Sequence, residues 1–436
     1  MNIVQITPGA GGMYCGNCFR DNAMVAAWRK QGHNTLMIPL YLPMTLDEED
    51  QSKGVPTFFN GVNVYLEQQS AWYRSAPKWL HKILASPILL KLASGRAAKT
   101  QATDVVDIAI SMLKGEEGNQ ARELEELIAY LKPQNHPDAI SLSNAMLIGL
   151  ARRMKQELKS SVVCMLQGED AFIDSMPEEG SNAMWRLLAE RAKEVDLFIA
   201  PSRYFGERMM AKMQIPANKL KVVYNGINLA GYPTTVPPIS TNTAPVIGFF
   251  ARMCKDKGLD SVVEAFLSLK QRNRVPGLKL KIGGGCGPSD EPFVEQLKMR
   301  LQRAGFIGDV SFHPNLSREE KLEFFQGLSV FTVPALYGEA FGLYVIESLA
   351  SGVPVVQPRV ASFPELVETT GGGALYEPGS PGALANALEA TLIDTRHLRT
   401  MAETGHRMVH SRFSIESMAE HMAKAFAELK QPTVSR

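Results

Sequence analysis

Two cations and two carboxylates in the second half of the chain have types and spacings suited to handling a phosphate and a polyol. Phe249-Phe250-Ala251-Arg252 ends an apolar run, and Lys257-Gly258 follows just before a helical stretch. Arg252 can fork onto two phosphate oxygens and Lys257 can act as a point charge, so the pair could hold a diphosphate at the carboxyl edge of a strand. Further on, Leu336-Tyr337-Gly338-Glu339-Ala340-Phe341-Gly342-Leu343 lies between an apolar run and a helix. The amides of Phe341, Gly342 and Leu343 would be unpaired at that helix start, where the dipole favours an anion. Gly342 lets a ligand approach the backbone closely. Glu339 precedes the turn, and Glu347 falls on the flank of the apolar stripe Leu343, Ile346 and Ala350, where sugar hydroxyls would satisfy it. Taken singly, the cations also suit a solvated turn and each glutamate a surface carboxylate.

These residues need elements to hold them. Val246 to Ala251, Leu278 to Ile282, Val310 to Phe312, Val330 to Val333 and Val355 to Val356 read as short buried strands. Helices suit Leu259 to Lys270, Pro292 to Arg303, Arg318 to Gln326 and Leu343 to Ser351. The first half alternates in the same way. Asn2 to Thr7 runs into the turn Pro8-Gly9-Ala10-Gly11-Gly12, a helical pattern reaches about Gln31, Gly32 stops it, and Thr35 to Leu40 is the next strand. Ala139 to Leu142, Val162 to Leu166, Leu197 to Ala200 and Val222 to Tyr224 follow. Short buried strands alternating with helices give parallel sheets in an α/β fold. The Pro-, Thr- and Asn-rich stretch Asn225 to Pro245 reads as a linker and hinge. Two doubly wound domains of similar size are expected, with ligands beyond the carboxyl ends of their strands and a cleft between them.

Composition narrows the classes. The 436 residues imply two or three domains, and 45% hydrophobic with 21% charged residues is an ordinary globular balance. Lys plus Arg number 46 against 45 Asp plus Glu, a net charge of +1, so no nucleic acid partner is expected. The start, MNIVQITPGAGG, lacks the basic region of a signal peptide, and Pro233, Pro237, Pro238 and Pro245 rule out a membrane span over Val222 to Ala251. Five cysteines imply a reducing compartment without a disulfide framework, hence a cytoplasmic protein. Residues 68–103 stand apart, with Arg74, Lys78, Lys82, Lys91, Arg96 and Lys99, Trp72 and Trp79, and no acidic residue. The segment is either a solvated helical excursion or a surface for an anionic acceptor or the headgroups of the inner membrane face. Pro77 and Pro87 break any long amphipathic helix in it.

The order of motifs carries a resemblance. Glu339 and Glu347 bracket seven residues, as Glu117 and Glu125 also do, so that spacing alone is not diagnostic. The Arg252/Lys257 pair, Gly283-Gly284-Gly285-Cys286-Gly287-Pro288, GEAFGL, Ser351-Gly352-Val353-Pro354-Val355-Val356, Phe363-Pro364-Glu365-Leu366 and Val223-Tyr224-Asn225-Gly226-Ile227 come in one sequence. Together they resemble the retaining glycosyltransferases of family 4 (group 1, glycogen synthase-like), over nearly the whole chain. The resemblance implies the GT-B fold, two facing Rossmann-like domains: an acceptor-side domain over 1–225 with a basic helical insertion at about 68–130, a linker over 226–245, a donor domain over 246–410, and a terminal segment, 411–436, whose helix packs back on the first domain. It implies that Arg252 and Lys257 bind the diphosphate of a nucleoside-diphosphate sugar. Glu347 would hold the ribose and Glu339 a sugar hydroxyl, with Ala340, Phe341, Gly342, Leu343, Gly284 and Gly285 lining the donor. UDP-sugars are common donors in similar proteins. No Asp-x-Asp occurs in the sequence, so no metal and no cofactor is expected.

The acceptor, a glycan or lipid-linked hydroxyl of the kind met in polysaccharide biosynthesis, would fall to the first domain. Gly11 and Gly12 sit at a strand-to-helix turn, a ligand approach or simply a tight turn. Where similar proteins carry His-x-His after Pro-Asp, this chain has Pro137-Asp138-Ala139-Ile140-Ser141-Leu142-Ser143, and in place of a later His-Gly it has Gln167-Gly168-Glu169-Asp170. Ser143 and Gln167 can hydrogen-bond but cannot titrate near neutral pH. Asp170 could orient an acceptor or cap a helix. Cys15 and Cys18 read as a structural pair or a redox-sensitive loop, and His406 and His410, one turn apart, as solvated. The dinucleotide fingerprint fails at Tyr14, which argues against a nicotinamide dehydrogenase. A sugar-nucleotide epimerase or hydrolase, or a non-catalytic nucleotide-sugar binder, remain as alternatives.

Overall fold

The apolar runs pair into two separate six-stranded parallel sheets in the computed structural model of the chain. The structure describes residues 1–9, 16–42, 46, 48–59, 64, 66–68, 70, 102–134, 136–237, 244–380 and 382–429. The chain divides into two compact units, one of residues 1–223 with the segment from Met418 onward, the other Tyr224–Ser417.

In the first unit, β1 (Asn2–Thr7), β2 (Asn34–Pro39), β3 (Ala139–Leu142), β4 (Ser161–Met165), β5 (Leu197–Ala200) and β6 (Leu220–Val222) lie in the order β2-β1-β3-β4-β5-β6. β3 and β5 are buried along their whole length, as unbroken apolar runs require when helices cover both faces. Helix Gly16–Lys30 follows β1, and the Trp28 indole donates to the Ala419 carbonyl at 2.9 Å while its ring meets Phe426 at 5.7 Å. Helices Ala102–Lys114 and Ala121–Leu131 precede β3. The basic and aromatic residues from Trp72 to Lys99, together with Gly11, Gly12, Tyr14 and Cys15, lie outside the described residues.

In the second unit, β7 (Val246–Phe250), β8 (Lys279–Gly284), β9 (Val310–Pro314), β10 (Val330–Phe331), β11 (Val355–Pro358) and β12 (Gly373–Tyr376) lie in the order β12-β11-β10-β7-β8-β9. The winding reverses between β7 and β10, whose register sets Val330 beside Ile247 and Phe331 beside Gly248. At such a switch point the loops leaving two adjacent strands diverge and open a crevice at the carboxyl edge.

Several sequence expectations need correction. β6 ends at Val222 instead of starting there, because Tyr224 belongs to the next unit, stacked on Phe413 at 5.4 Å with its hydroxyl 2.9 Å from Glu365. β12 is an additional strand that the apolar runs do not mark, being a half-buried edge strand of four residues that opens on a glycine. His406 is not solvated: it is 6% exposed, its Nε2 lies 2.8 Å from the Pro233 carbonyl, and its ring meets His410 at 4.1 Å. Cys18 is disulfide-bonded, so the chain holds a bridge that composition did not announce, whereas Cys164, Cys254 and Cys286 are free. Among the described residues no helix is long and apolar enough to cross a membrane.

Candidate active site

The loops leaving β7, β8 and β10 carry the residues singled out in the second unit. Arg252 follows β7, and its guanidinium meets Asp290 at the start of helix Glu291–Arg303. Nε lies 3.1 and 3.0 Å from the two carboxylate oxygens and Nη2 lies 2.9 Å from Oδ1. Asp290 is also held by the Gly287 amide at 3.2 Å. The hydrogen bond from Arg252 is the main reason the Asp290 carboxyl sits below its usual range. The arginine side chain stays 61% exposed against 8% for the aspartate, so a ligand can reach it from solvent.

The glycine-rich loop passes beside this pair. Gly284 has φ +122°, and a Cβ there would lie 1.9 Å from the Ala251 carbonyl oxygen, so the close approach of the β7 and β8 ends needs glycine. A Cβ on Gly285 would meet nothing within 4 Å, so its outer face is open.

Lys257 closes a 3-10 turn and reaches the β10 loop, where its ammonium donates to Glu339 Oε2 at 2.7 Å and to the Tyr337 hydroxyl. Tyr337 and Tyr344 donate to the same Oε2 at 2.8 and 2.9 Å. Burial pushes the Glu339 carboxyl up, but the Lys257 charge and the three hydrogen bonds outweigh it and hold the group below the ordinary glutamate range.

Helix Leu343–Ala350 starts at Gly342, which has φ +85° and no side-chain cap. The amides of Phe341, Gly342 and Leu343 donate to no described residue, which leaves a helix start with unpartnered N–H groups next to the Lys257–Glu339 pair. Ala340 and Phe341 are buried, and the Phe341 carbonyl accepts from Ser362 at 3.0 Å. Glu347 lies one turn into the helix and pairs with Lys321 at 2.8 Å, the two side chains 14% and 10% exposed.

Sequence reasoning thus placed Arg252, Lys257, Glu339 and the 340–343 turn on neighbouring loops of one sheet edge. It passed over Asp290, Lys321, Tyr337 and Tyr344. Asp290 and Lys321 meet Arg252 and Glu347 across 38 and 26 positions, which no local pattern marks, whereas Tyr337 and Tyr344 lie only two and five positions from Glu339 and carry no charge to single them out.

The first unit gathers its residues differently. Ser143 is fully buried, its amide bonded to the Ile6 carbonyl at 3.0 Å and its Oγ 3.3 Å from Arg20. Arg20 in turn pairs with Asp21, at 2.9 Å through Nε, and Asp21 also accepts from Thr7 at 2.8 Å and Gln5 at 3.2 Å. The charges of Arg20 and Asp21, set in an otherwise largely apolar helix, were the sequence signal for this cluster. The Gln167 amide donates to Glu169 at 2.8 Å, and Ala145 donates to the other Glu169 oxygen at 2.7 Å. Burial pushes the Glu169 carboxyl up against those bonds. Asp170 is not a helix cap: Gly168, at φ +90°, holds that place, and Asp170 accepts from Arg208.

A family model of glycosyl transferases group 1 matches residues 237–408, and one of glycosyltransferase family 4 matches residues 94–230. The chain is 29% identical over 184 residues to the D-inositol 3-phosphate glycosyltransferase of Corynebacterium jeikeium, covering 42% of this chain and 43% of that protein. It is 30% identical over 190 residues to the lipopolysaccharide core biosynthesis mannosyltransferase LpsB of Rhizobium meliloti, covering 42% and 51%. The matched stretches span about half the length of these curated relatives. Among solved structures, sucrose-phosphate synthase from Thermosynechococcus elongatus superposes with a TM-score of 0.68 at 17% identity over 98% of both chains. HepE from Anabaena, in complex with UDP and glucose, gives 0.68 at 16% identity over 98% of this chain and 100% of that one. With both halves matched by models of one enzyme class and two doubly wound units in the GT-B manner, this protein belongs to the family 4, group 1 glycosyltransferases.

Proposed function

We propose that the chain is a retaining, metal-independent glycosyltransferase that moves a hexose-type sugar from a nucleoside-diphosphate sugar to a hydroxyl of a glycan or lipid-linked acceptor. The observation that carries this reading is the Lys257–Glu339 pair beside the unpartnered amides of Phe341 to Leu343, at the switch point of the second sheet. In this reading Arg252 and Lys257 take the diphosphate, Glu347 the ribose and Glu339 a sugar hydroxyl. Ala340 to Leu343, Gly284 and Gly285 line the donor. The acceptor falls to the first unit, where Ser143, Gln167 and Asp170 stand near the carboxyl ends of β3 and β4. The UDP and glucose held by HepE support a uridine donor.

The chemistry follows from charge. The bond between the anomeric carbon and the diphosphate oxygen breaks with its electron pair on the diphosphate. The acceptor oxygen joins the anomeric carbon, and its proton leaves with the diphosphate. Positive charge grows on the sugar ring and negative charge on the leaving group. Fixed donors aimed at the diphosphate stabilise that state, each by roughly 3 kcal/mol where a single such donor has been removed elsewhere. Arg252 and Lys257 take the neutralising part that a divalent ion plays in other transferases.

A thermal-shift panel of UDP, GDP, ADP, CDP and NAD, with and without chelator, tests the reading. One nucleoside diphosphate at about 100 times its Kd stabilises the fold by about 2.7 kcal/mol, chelator or not. NMR of the product then reports an anomeric configuration equal to that of the donor. A response to NAD alone, a requirement for a divalent ion, or release of free sugar as the main product rejects it.

A further inference from the structure

Three donors converge on one oxygen of Glu339. Lys257 Nζ at 2.7 Å, the Tyr337 hydroxyl at 2.8 Å and the Tyr344 hydroxyl at 2.9 Å all bond Oε2. Oε1 accepts from no described residue, and the side chain keeps 16% exposure. One cation would settle the charge of this carboxylate but not its orientation, because an ammonium can swing from one oxygen to the other. Two phenols from different elements remove that freedom. Tyr337 comes from the loop after β10, and Tyr344 from the first turn of helix Leu343–Ala350, where it is 9% exposed. The same phenols fix the lysine. Lys257 donates to Tyr337 as well as Glu339, and its nitrogen lies 4.8 and 5.6 Å from the centroids of the Tyr337 and Tyr344 rings. Two of the three ammonium protons are therefore committed, which leaves one for a ligand.

We infer that Tyr337 and Tyr344 are positioning residues of the donor site, which saturate Glu339 Oε2 so that Oε1 alone is presented, fixed in place and ionised, to a hydroxyl of the donor sugar. The inference rests on the donor-site reading above. Burial and the neighbouring Glu339 charge push both phenols well above their ordinary range, so they stay protonated donors throughout the working pH. The charged and titratable groups facing this cluster are Lys257, Glu339, Asp256 and Cys254, the last two acting on Tyr337.

The test needs no acceptor. Calorimetry of UDP and UDP-glucose, with GDP and GDP-mannose and ADP and ADP-glucose in parallel, gives for the pair that binds wild type the ratio of the sugar nucleotide's Kd to that of the bare diphosphate. In Tyr337→Phe/Tyr344→Phe the ratio rises about tenfold, over and above whatever loss the loosened Lys257 brings to the bare diphosphate. The rise also sets in at a higher pH than in wild type, because a carboxylate that loses two donors takes up its proton sooner. The single variants, each a ring-preserving change, show the same effect in part and stand in if the double variant does not fold. Equal weakening of both ligands, or an unchanged ratio at every pH, overturns the inference. Glu339→Gln separates the two readings: if it leaves the ratio unchanged, or if no pair binds wild type, the donor-site assignment itself has failed.

Discussion

The carboxyl edges of the two sheets are built on opposite plans. In the first unit three of the charges are sealed, while Asp170 keeps a partly exposed partner in Arg208. Arg20 and Asp21 are 2% and 0% exposed, and Glu169 is consumed by two backbone amides. In the second, Arg252 is 61% exposed and held by one carboxylate, Lys257 keeps a proton uncommitted, and three helix-start amides have no described partner. A sealed pair satisfies itself and leaves a ligand nothing to gain. An open pair can trade a protein carboxylate for a phosphate at small cost, since both anions hydrogen-bond the same guanidinium. Burial alone therefore does not mark a ligand site, since both edges hold buried carboxylates; unspent donors do.

The largest effects should separate the two plans. Arg20→Met leaves Asp21 buried without its cation and should cost about 3–5 kcal/mol in urea unfolding, with the nucleotide affinity of the folded protein unchanged. Arg252→Ala should do the reverse. It costs about 1 kcal/mol or less, because Asp290 keeps the Gly287 amide, but weakens nucleoside diphosphate binding about 10- to 100-fold. If Arg20→Met weakened the nucleotide at undiminished stability, the contrast between edges would collapse.

A smaller effect separates them by pH. The folded-state pKa of Glu339 is lowered, so its contribution to stability is complete above the unfolded value and is lost as pH falls through the folded one. Glu169 is raised by burial, so folding holds its proton more tightly, and its contribution is complete below the unfolded value and lost as pH rises through the folded one. Urea midpoints followed across the acid range for wild type, Glu339→Gln and Glu169→Gln should give difference curves of opposite slope on either side of the ordinary glutamate pKa. Parallel slopes would mean that the two carboxylates share one environment after all.

Much of this was legible in the sequence, for a physical reason. Strands buried on both faces must be continuous apolar runs, so β3, β5 and β7 could be read with their residues nearly in place and the α/β class with them. β12 is half-buried and β6 runs into a unit change, and neither leaves that signature. Arg252, Lys257 and Glu339 were legible because loops leaving adjacent parallel strands must meet, whichever side chains they carry. Asp290 and Lys321 were not, because a partner chosen across the fold has no spacing rule, and Tyr344, five positions from Glu339, reads as one more apolar position of its helix. Gly342 was legible as a turn, whereas the demand on Gly284 comes from the Ala251 carbonyl just after β7, which only the folded sheet brings close.

The adjacent glycines of the β8 loop offer the finest test of where the open edge receives its ligand. At Gly284 the left-handed φ and the Ala251 carbonyl at 1.9 Å leave no room for a methyl group, so Gly284→Ala should destabilise strongly and says little about binding. At Gly285 the space is empty, so Gly285→Ala should change stability by no more than about 0.5 kcal/mol. If the donor lies against this loop, that methyl group occupies ligand volume, and nucleotide affinity should fall with no matching loss in melting temperature. An unchanged affinity would move the donor off the β8 loop and leave Arg252, Lys257 and the helix start to hold it.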